Sequence, residues 1–243
     1  MLGQAISLDG YKYNVIILAG GEGSRMGGQS EYIPKALSQI GNKRAIDYLI
    51  ERYIPVAHKF IIGICKHADL LQSYIEGRFK PIPIEFSRED TLHNNAISLM
   101  FCLDHADIRY GTIVLFCDLL TIGNPVIEPD SVLVATKDTH GVIGTFRHYV
   151  VNINGEDVLD TGQDGFPLGV DCDKRGILGY FVFQQTKLLK SIVYSQRFPS
   201  DLTYDFLFDY MGKTHVKFIP ATTVYEFGNS NDLEEVRKKW EDA

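Results

Sequence analysis

An open α/β sheet, mostly parallel with a mixed portion and with helices on both faces, is the fold this sequence predicts. Three observations predict it. Short continuous apolar runs alternate with helix-patterned stretches over the first two thirds of the chain, as parallel strands buried on both faces require. After residue 118 the pattern changes to short strands separated by turn residues, which calls for a mixed or antiparallel portion. The first apolar run empties into a cluster of glycines and then a cation.

The strands of the parallel part are placed at residues 15–19, 60–65, 82–86 and 113–117. Helices are placed between them at 45–57, 67–78 and 94–106, and in the last of these Ile97, Met100 and Phe101 share one face at i, i+3, i+4 spacing. Right-handed strand–helix–strand crossovers follow, giving a Rossmann-like order. Further strands are expected at 131–136, 144–151, 157–161 and 177–183, with hairpin-type turn chemistry at Asn152-Ile153-Asn154-Gly155 and Asp164-Gly165. The C-terminal part returns to helix, strand, helix, the helices falling at 202–211 and 232–240. The last has Asp232, Glu234 and Glu235 in its first turn and Lys238 and Lys239 later, matching the helix dipole. No repeat, linker or low-complexity tract interrupts the chain, so one compact unit is expected.

Twenty-four Lys and Arg against 31 Asp and Glu leave a net charge of −7 on 243 residues, with 45% apolar and 23% charged residues. This is the balance of an ordinary soluble globular chain. It argues against a protein that wraps nucleic acid, which needs an excess of cations on one face. A small anionic substrate needs only a few cations at one place. No apolar run approaches the roughly 18 residues of a membrane span, so no membrane partner is expected. Residues 1–13 lack a basic start followed by an apolar stretch, so a cytoplasmic location is the expectation. Cys65, Cys102, Cys117 and Cys172 are far apart, with no paired spacing and no histidines at ligand spacing, and read as buried free thiols.

The most informative stretch is Leu18-Ala19-Gly20-Gly21-Glu22-Gly23-Ser24-Arg25-Met26, followed by Ile33-Pro34-Lys35-Ala36-Leu37. Glycines at 20, 21 and 23 allow backbone N–H groups to approach an anion that a Cβ would hold away, and Arg25 adds a fork suited to phosphate. A tight strand-to-helix turn would also use glycines here. The two common phosphate loops do not fit: no Lys follows the glycines directly, and Met26 stands where a dinucleotide loop needs its third glycine.

The stretch L-A-G-G-x-G-S-R-M with a later P-K-A-L resembles the nucleotidyltransferases that join an NTP to a sugar 1-phosphate or related phosphomonoester and release pyrophosphate. The resemblance is strongest over residues 14–37, and the order of elements is similar across nearly the whole chain. It implies a fold of the nucleotide-diphospho-sugar transferase type over residues 14–243, with 1–13 as an N-terminal extension. It also implies that residues 20–25 wrap the triphosphate, that Lys35 neutralises charge at the reacting phosphate, and that Leu18, Ala19, Gly20, Gly21, Gly23 and Ser24 contact the nucleotide.

Phosphoryl transfer between polyanions calls for a divalent cation, and Mg²⁺ prefers one or two carboxylates with waters. Asp118 follows the strand at 113–117, and open α/β sheets bind ligands beyond the carboxyl ends of their strands. The resembled family carries a metal-binding aspartate at this point. Its second ligand usually comes from W-x-D-I-G-T-P-E-D-L, to which the segment from Tyr225 to Leu233 is similar. Glu226 then takes the aspartate's place, and a nearby alternative ligand position falls on Gly228. A competing pair, Asp171 and Asp173, would suit a metal-dependent glycosyltransferase, but lies in a polar loop rather than at the end of a core strand.

Asn94-Asn95 with Ser98-Leu99 resembles the N-N-x-x-S-L pattern of bacterial phosphocholine-type cytidylyltransferases, which implies that Asn94 contacts the nucleotide. Asn is also a common helix N-cap. The expected partners are therefore an NTP, with CTP favoured, and a small phosphorylated acceptor such as phosphocholine or a sugar phosphate; an oligomer is left open. Arg25, Lys35 and Asp118 are the expected catalytic residues, with Mg²⁺ held by Asp118 and Glu226. Three rivals stay open: another NTP with a sugar 1-phosphate, a glycosyltransferase, and a catalytically silent nucleotide-binding domain.

Overall fold

The first strand, β1 (Tyr13–Leu18), is buried along its whole length because its alternate side chains enter two different cores. Val15 and Ile17 join one, and Ile16 and Leu18 the other. The computed structural model describes residues 12–91, 94–123, 125, 127–136, 138–143, 150–154, 157–162, 174–196 and 205–240. From β1 the chain makes a minimal hairpin of β2 (Gln39–Ile40) and β3 (Lys43–Arg44), then α1 (Ala45–Tyr53), β4 (Ala57–Ile64), α2 (Ala68–Arg78), β5 (Ile84–Arg88) and α3 (Asn95–Asp104). It continues with β6 (Gly111–Phe116), β7 (Leu119–Thr121), β8 (Ser131–Ala135), β9 (His140–Val142), β10 (Val150–Asn154), β11 (Asp157–Gly162) and β12 (Lys174–Phe183). The last elements are α4 (Thr186–Ser195), α5 (Asp205–Met211), β13 (Lys217–Pro220), β14 (Thr223–Glu226) and α6 (Ser230–Trp240).

The main sheet runs β11-β10-β12-β6-β1-β4-β5, with β8 on β12 and β13 on β8. β1 pairs parallel with both β4 and β6, and β5 continues outward from β4, whereas β12 is antiparallel to β6. The chain thus moves from β1 to β4 and β5, then returns to β1's other side as β6. That reversal opens a crevice beyond the carboxyl ends of β1 and β6, where open α/β sheets bind ligands. The mixed, mostly parallel sheet with helices on both faces is the architecture the sequence predicts. α1, α2 and α6 supply residues to one core, and α3, α4 and α5 to the other.

Buried polar groups lock the register. Asn14 is fully buried and donates to the carbonyls of Asp107 and Gly111 at 2.9 and 3.2 Å while accepting from the Asp107 amide at 3.0 Å. The start of β1 is thereby tied to the entry into β6. Asp47 caps α1 by accepting from the Arg44 amide, and also receives the Tyr74 hydroxyl at 2.9 Å and Arg78 Nε at 3.1 Å. A nearly inaccessible carboxylate is satisfied in this way, and α1 is joined to α2.

The structure differs from the expectation at several points. α1 stops at Tyr53 rather than residue 57, because Pro55 cannot continue a helix. α4 was not anticipated, although Leu189, Ile192 and Val193 carry the helical spacing and are its buried face. The short strands β7, β9, β13 and β14 are made by pairing rather than by long apolar runs. β10 and β11 form an antiparallel pair as expected, but residues 152–154, placed in the turn by their residue types, continue β10, with Asn154 paired to Asp157. The expected turn at Asp164-Gly165, most of the strand at 144–151, the start of the helix at 202–211 and the pair Asp171/Asp173 lie outside the described residues, as do residues 1–11. Among the described residues no helix is long and apolar enough to cross a membrane.

Candidate active site

The glycine turn leaves β1 directly at the crevice. The Ala19 amide still bonds the Gly63 carbonyl at 2.9 Å, so sheet geometry persists for one residue past the strand. A Cβ on Gly20 would lie 3.3 Å from the Cys65 Cβ, while one on Gly21 would meet nothing within 4 Å, so Gly20 fits against β4's end and Gly21 faces open space. Gly23 takes φ 66°, in the left-handed region that favours glycine, and its carbonyl accepts the Met26 amide at 2.8 Å. Met26 is buried in the core and anchors the far side of the turn.

Opposite this turn stands an ion pair. Lys35 opens a single 3-10 turn, Lys35–Leu37, whose Ala36 and Leu37 are buried and fix its position. Its Nζ lies 2.5 Å from Asp118 Oδ2 and 5.9 Å from the centroid of the Phe227 ring. Burial alone would lower the Lys35 pKa, but the Asp118 carboxylate beside it outweighs that, and the net position is above the usual lysine range. Lys35 therefore keeps its charge at neutral pH. Burial pushes the neighbouring Cys117 thiol up to about 12, which makes it a packing residue and not a nucleophile.

Eight residues singled out in the sequence line one cleft of about 240 Å³: Leu18, Gly20, Gly21, Gly23, Ser24, Arg25, Lys35 and Asp118. Three do not. Ala19 is buried in the core. Asn94 caps α3, its side chain accepting from the Ile97 amide at 3.0 Å, as its residue type alone would suggest. Glu226 lies on β14 opposite Leu119, and the residue that this strand end brings to the cleft is Gly228.

Asn95 and Ser98, from the same N-N-x-x-S-L stretch, do line the cleft, one helical turn apart on α3. What separates them from Asn94 is the cap itself: Asn94 stands in extended backbone before the helix and turns its side chain onto the first turn. The Ser98 hydroxyl donates to the buried Glu89 carboxylate at 3.1 Å. Asp232, on the first turn of α6, was read in the sequence only as a dipole partner. It is buried, its Oδ2 lies 3.5 Å from where a Cβ on Gly228 would be, and it is paired with the Asn229 side chain. Burial raises its pKa, with Lys35 and Arg25 acting in the opposite direction, so it belongs to the same electrostatic environment.

A glycine turn after the first strand, a strand-end carboxylate at the sheet's reversal and a charged lysine between them make this the candidate nucleotide cleft of an open α/β sheet. The chain belongs to the MobA-like NTP transferase domain family, whose model matches residues 15–139, and is a nucleotidyltransferase of that kind. No curated protein matches it by sequence. Among solved structures it is similar to the CTP:phosphocholine cytidylyltransferase of Streptococcus pneumoniae, with TM-score 0.71 and 18% identity over 94% of this chain and 99% of that one. It is similar to a putative glucose-1-phosphate thymidylyltransferase of Bacillus anthracis, with TM-score 0.73, 18% identity, and 95% and 96% of the two chains covered. The inositol-1-phosphate CTP transferase of T. maritima gives TM-score 0.72 at 15% identity over 96% and 98% of the two chains. At these identities the likeness is one of fold.

Proposed function

We propose that this domain transfers a nucleoside monophosphate from CTP to a small phosphomonoester, phosphocholine or a sugar phosphate, in the cytoplasm and with Mg²⁺, releasing pyrophosphate. The observation that carries the reading is the Lys35–Asp118 pair at 2.5 Å across from the glycine turn. CTP is favoured because the N-N-x-x-S-L stretch brings Asn95 and Ser98 to the cleft wall.

The acceptor phosphate oxygen attacks the α-phosphorus in line; the new O–P bond forms as the bond to the pyrophosphate oxygen breaks, and both electrons of that bond leave with pyrophosphate. A phosphate monoester has its second pKa near about 6, so the attacking oxygen is already mostly deprotonated and no protein base is needed. The chain's task is then positioning and charge neutralisation. Backbone amides of residues 20–25 and the Arg25 side chain cradle the triphosphate, and Lys35, held protonated, faces the reacting phosphate.

Asp118, with its side chain 20% exposed at the end of a core strand, fits the requirement for a Mg²⁺ ligand. Glu226, the second ligand the resemblance implies, lies on β14 off the cleft wall, so in this reading Asp118 is the main protein ligand and Glu226 has a supporting part. When bound, Mg²⁺ supplies further neutralisation of phosphate oxygens. Among the described residues no group of three or more His, Cys, Asp or Glu is gathered to hold a metal.

The test is pyrophosphate release measured with each of four NTPs and Mg²⁺ against phosphocholine and a panel of sugar 1-phosphates. Release with CTP and one acceptor supports the reading, and release only with another NTP moves it to a sugar-1-phosphate nucleotidyltransferase. Transfer from a nucleotide sugar without pyrophosphate would point to a glycosyltransferase. Gly228, a position without a side chain where the resemblance offers a ligand, favours the silent-domain alternative, whose outcome is NTP binding with no release from any pair.

A further inference from the structure

A second cavity, of about 390 Å³, lies on the α1 side of the sheet and shares no lining residue with the nucleotide cleft. Its walls are flat and apolar: Leu49 and Tyr53 from α1, Leu115 from β6, Leu120 from β7, Tyr180 from β12 and Trp240 from α6. The rings are fixed by one another. Trp240 meets Tyr48 edge-on at 4.8 Å and Tyr225 at 5.1 Å, and its indole N–H donates to the Tyr48 hydroxyl at 3.2 Å. Cavities of this size and lining are the usual form of small-molecule sites, with a few polar groups setting orientation.

The orienting group here is Arg52. Its guanidinium donates to the carbonyl of Thr121 and lies in hydrogen-bond contact with the Tyr53 hydroxyl, while its buried Nε has no acceptor among the described residues. The other charge on the lining, Glu51, is already engaged by Lys43 and Arg78. A guanidinium on a mostly apolar lining rewards a ligand that brings it an anionic acceptor.

We infer that this cavity is a second ligand site, for a compact organic anion with a flat apolar body, whose carboxylate, sulfonate or monophosphate accepts from Arg52 while its ring system lies among Tyr53, Tyr180 and Trp240. A second NTP does not fit this description, since a triphosphate and sugar hydroxyls would face leucines with no partners. The inference is independent of the transfer reaction. It places the occupant between two elements that begin at the cleft: β7, which starts immediately after Asp118, and α6, which starts two residues after Gly228 and ends at Trp240.

The probe pair that tests it is 8-anilinonaphthalene-1-sulfonate and N-phenyl-1-naphthylamine, which share their rings and differ in the anionic group. Trp240 is the only tryptophan and lines the cavity, so energy transfer from it reports occupancy in the full chain. Saturable one-to-one quenching by both probes is expected. Arg52→Met should weaken the sulfonate about tenfold or more, the worth of one charge-assisted hydrogen bond, and change the neutral probe less than about twofold. Near-UV circular dichroism establishes that the variant is folded; if it is not, Arg52→Gln, which removes the charge and keeps a polar group there, carries the same comparison. The inference is overturned by absence of saturable quenching, by equal loss for both probes, by no loss for the sulfonate, or by displacement of the sulfonate with CTP, which would put it in the cleft.

Discussion

Two strand ends meet at the nucleotide cleft, yet only one of them delivers a carboxylate to its wall. β6 ends at Phe116, and two residues on Asp118 reaches Lys35 at 2.5 Å. β14 ends at Glu226, and its next amide, that of Phe227, donates to the Asp118 carbonyl at 3.1 Å, so the two ends are stitched together. What β14's end brings to the cleft, however, is Gly228. Sheet pairing decides which backbones meet. Which side chain then faces the ligand depends on the residue found at each step beyond the strand, and one step exchanges a carboxylate for a glycine.

The sharpest way to break this comparison is to remove charge at β6's end. Asp118→Asn and Lys35→Ala should each cut pyrophosphate release about 10²–10³-fold, the usual scale for losing one pre-positioned electrostatic group, with unchanged far-UV circular dichroism. Turnover near wild type in either variant would sink the proposed function.

At β14's end the expected effect is smaller. Because Glu226 is absent from the cleft wall, Glu226→Gln should cost about tenfold or less, with most of the change in the Mg²⁺ concentration giving half-maximal rate. A loss equal to that of Asp118→Asn would make the two ends equivalent ligands and erase the distinction drawn here.

A fourth substitution disturbs β6's end mechanically. A Cβ on Gly179 of β12 would lie 2.4 Å from ring carbons of Phe116, whose side chain forms part of the cleft wall. Gly179→Ala should lower stability by about 1–3 kcal/mol through overpacking, read from denaturant midpoints. An unchanged midpoint would mean that β12 and β6 can part at no cost.

The smallest expected effect is one of pH. A lysine whose folded pKa is raised contributes stability that is complete below its unfolded value and lost only as pH rises through the folded one. Both values for Lys35 lie at or above 10.5. Thermal stability and pyrophosphate release should therefore show no lysine limb between about pH 7 and 9.5. A fall across that range that disappears in Lys35→Arg would place the Lys35 pKa lower than the ion pair implies.

Much was legible in the chain itself, for local reasons. Residues 15–19, 60–65 and 113–117 are apolar without alternation, and only a strand covered on both faces tolerates that; each became a central strand. Gly20, Gly21, Gly23, Arg25 and Lys35 could be singled out because a phosphate cradle is built from consecutive backbone amides and nearby cations, which sequence order preserves. Asp118 was found because it follows a buried strand directly.

The remainder depended on residues distant in the chain. Asn94 and Asn95 are adjacent and chemically identical, yet one caps α3 and the other lines the cleft, because Asn94 is in extended backbone and folds its side chain onto the Ile97 amide while Asn95 begins the helix. Whether Glu226 or Gly228 lines the cleft was set by the pairing of β14 with β7, two strands of four and three residues too short for the sequence to fix their register. The Arg52 cavity is assembled from α1, β6, β7, β12 and α6, and no local pattern records it. The sequence by itself determined the strands, the glycine turn and the charges at the cleft, because these depend on neighbours along the chain. Only the tertiary structure decided which side chains share a space, because burial and orientation are set by elements that meet across the sheet.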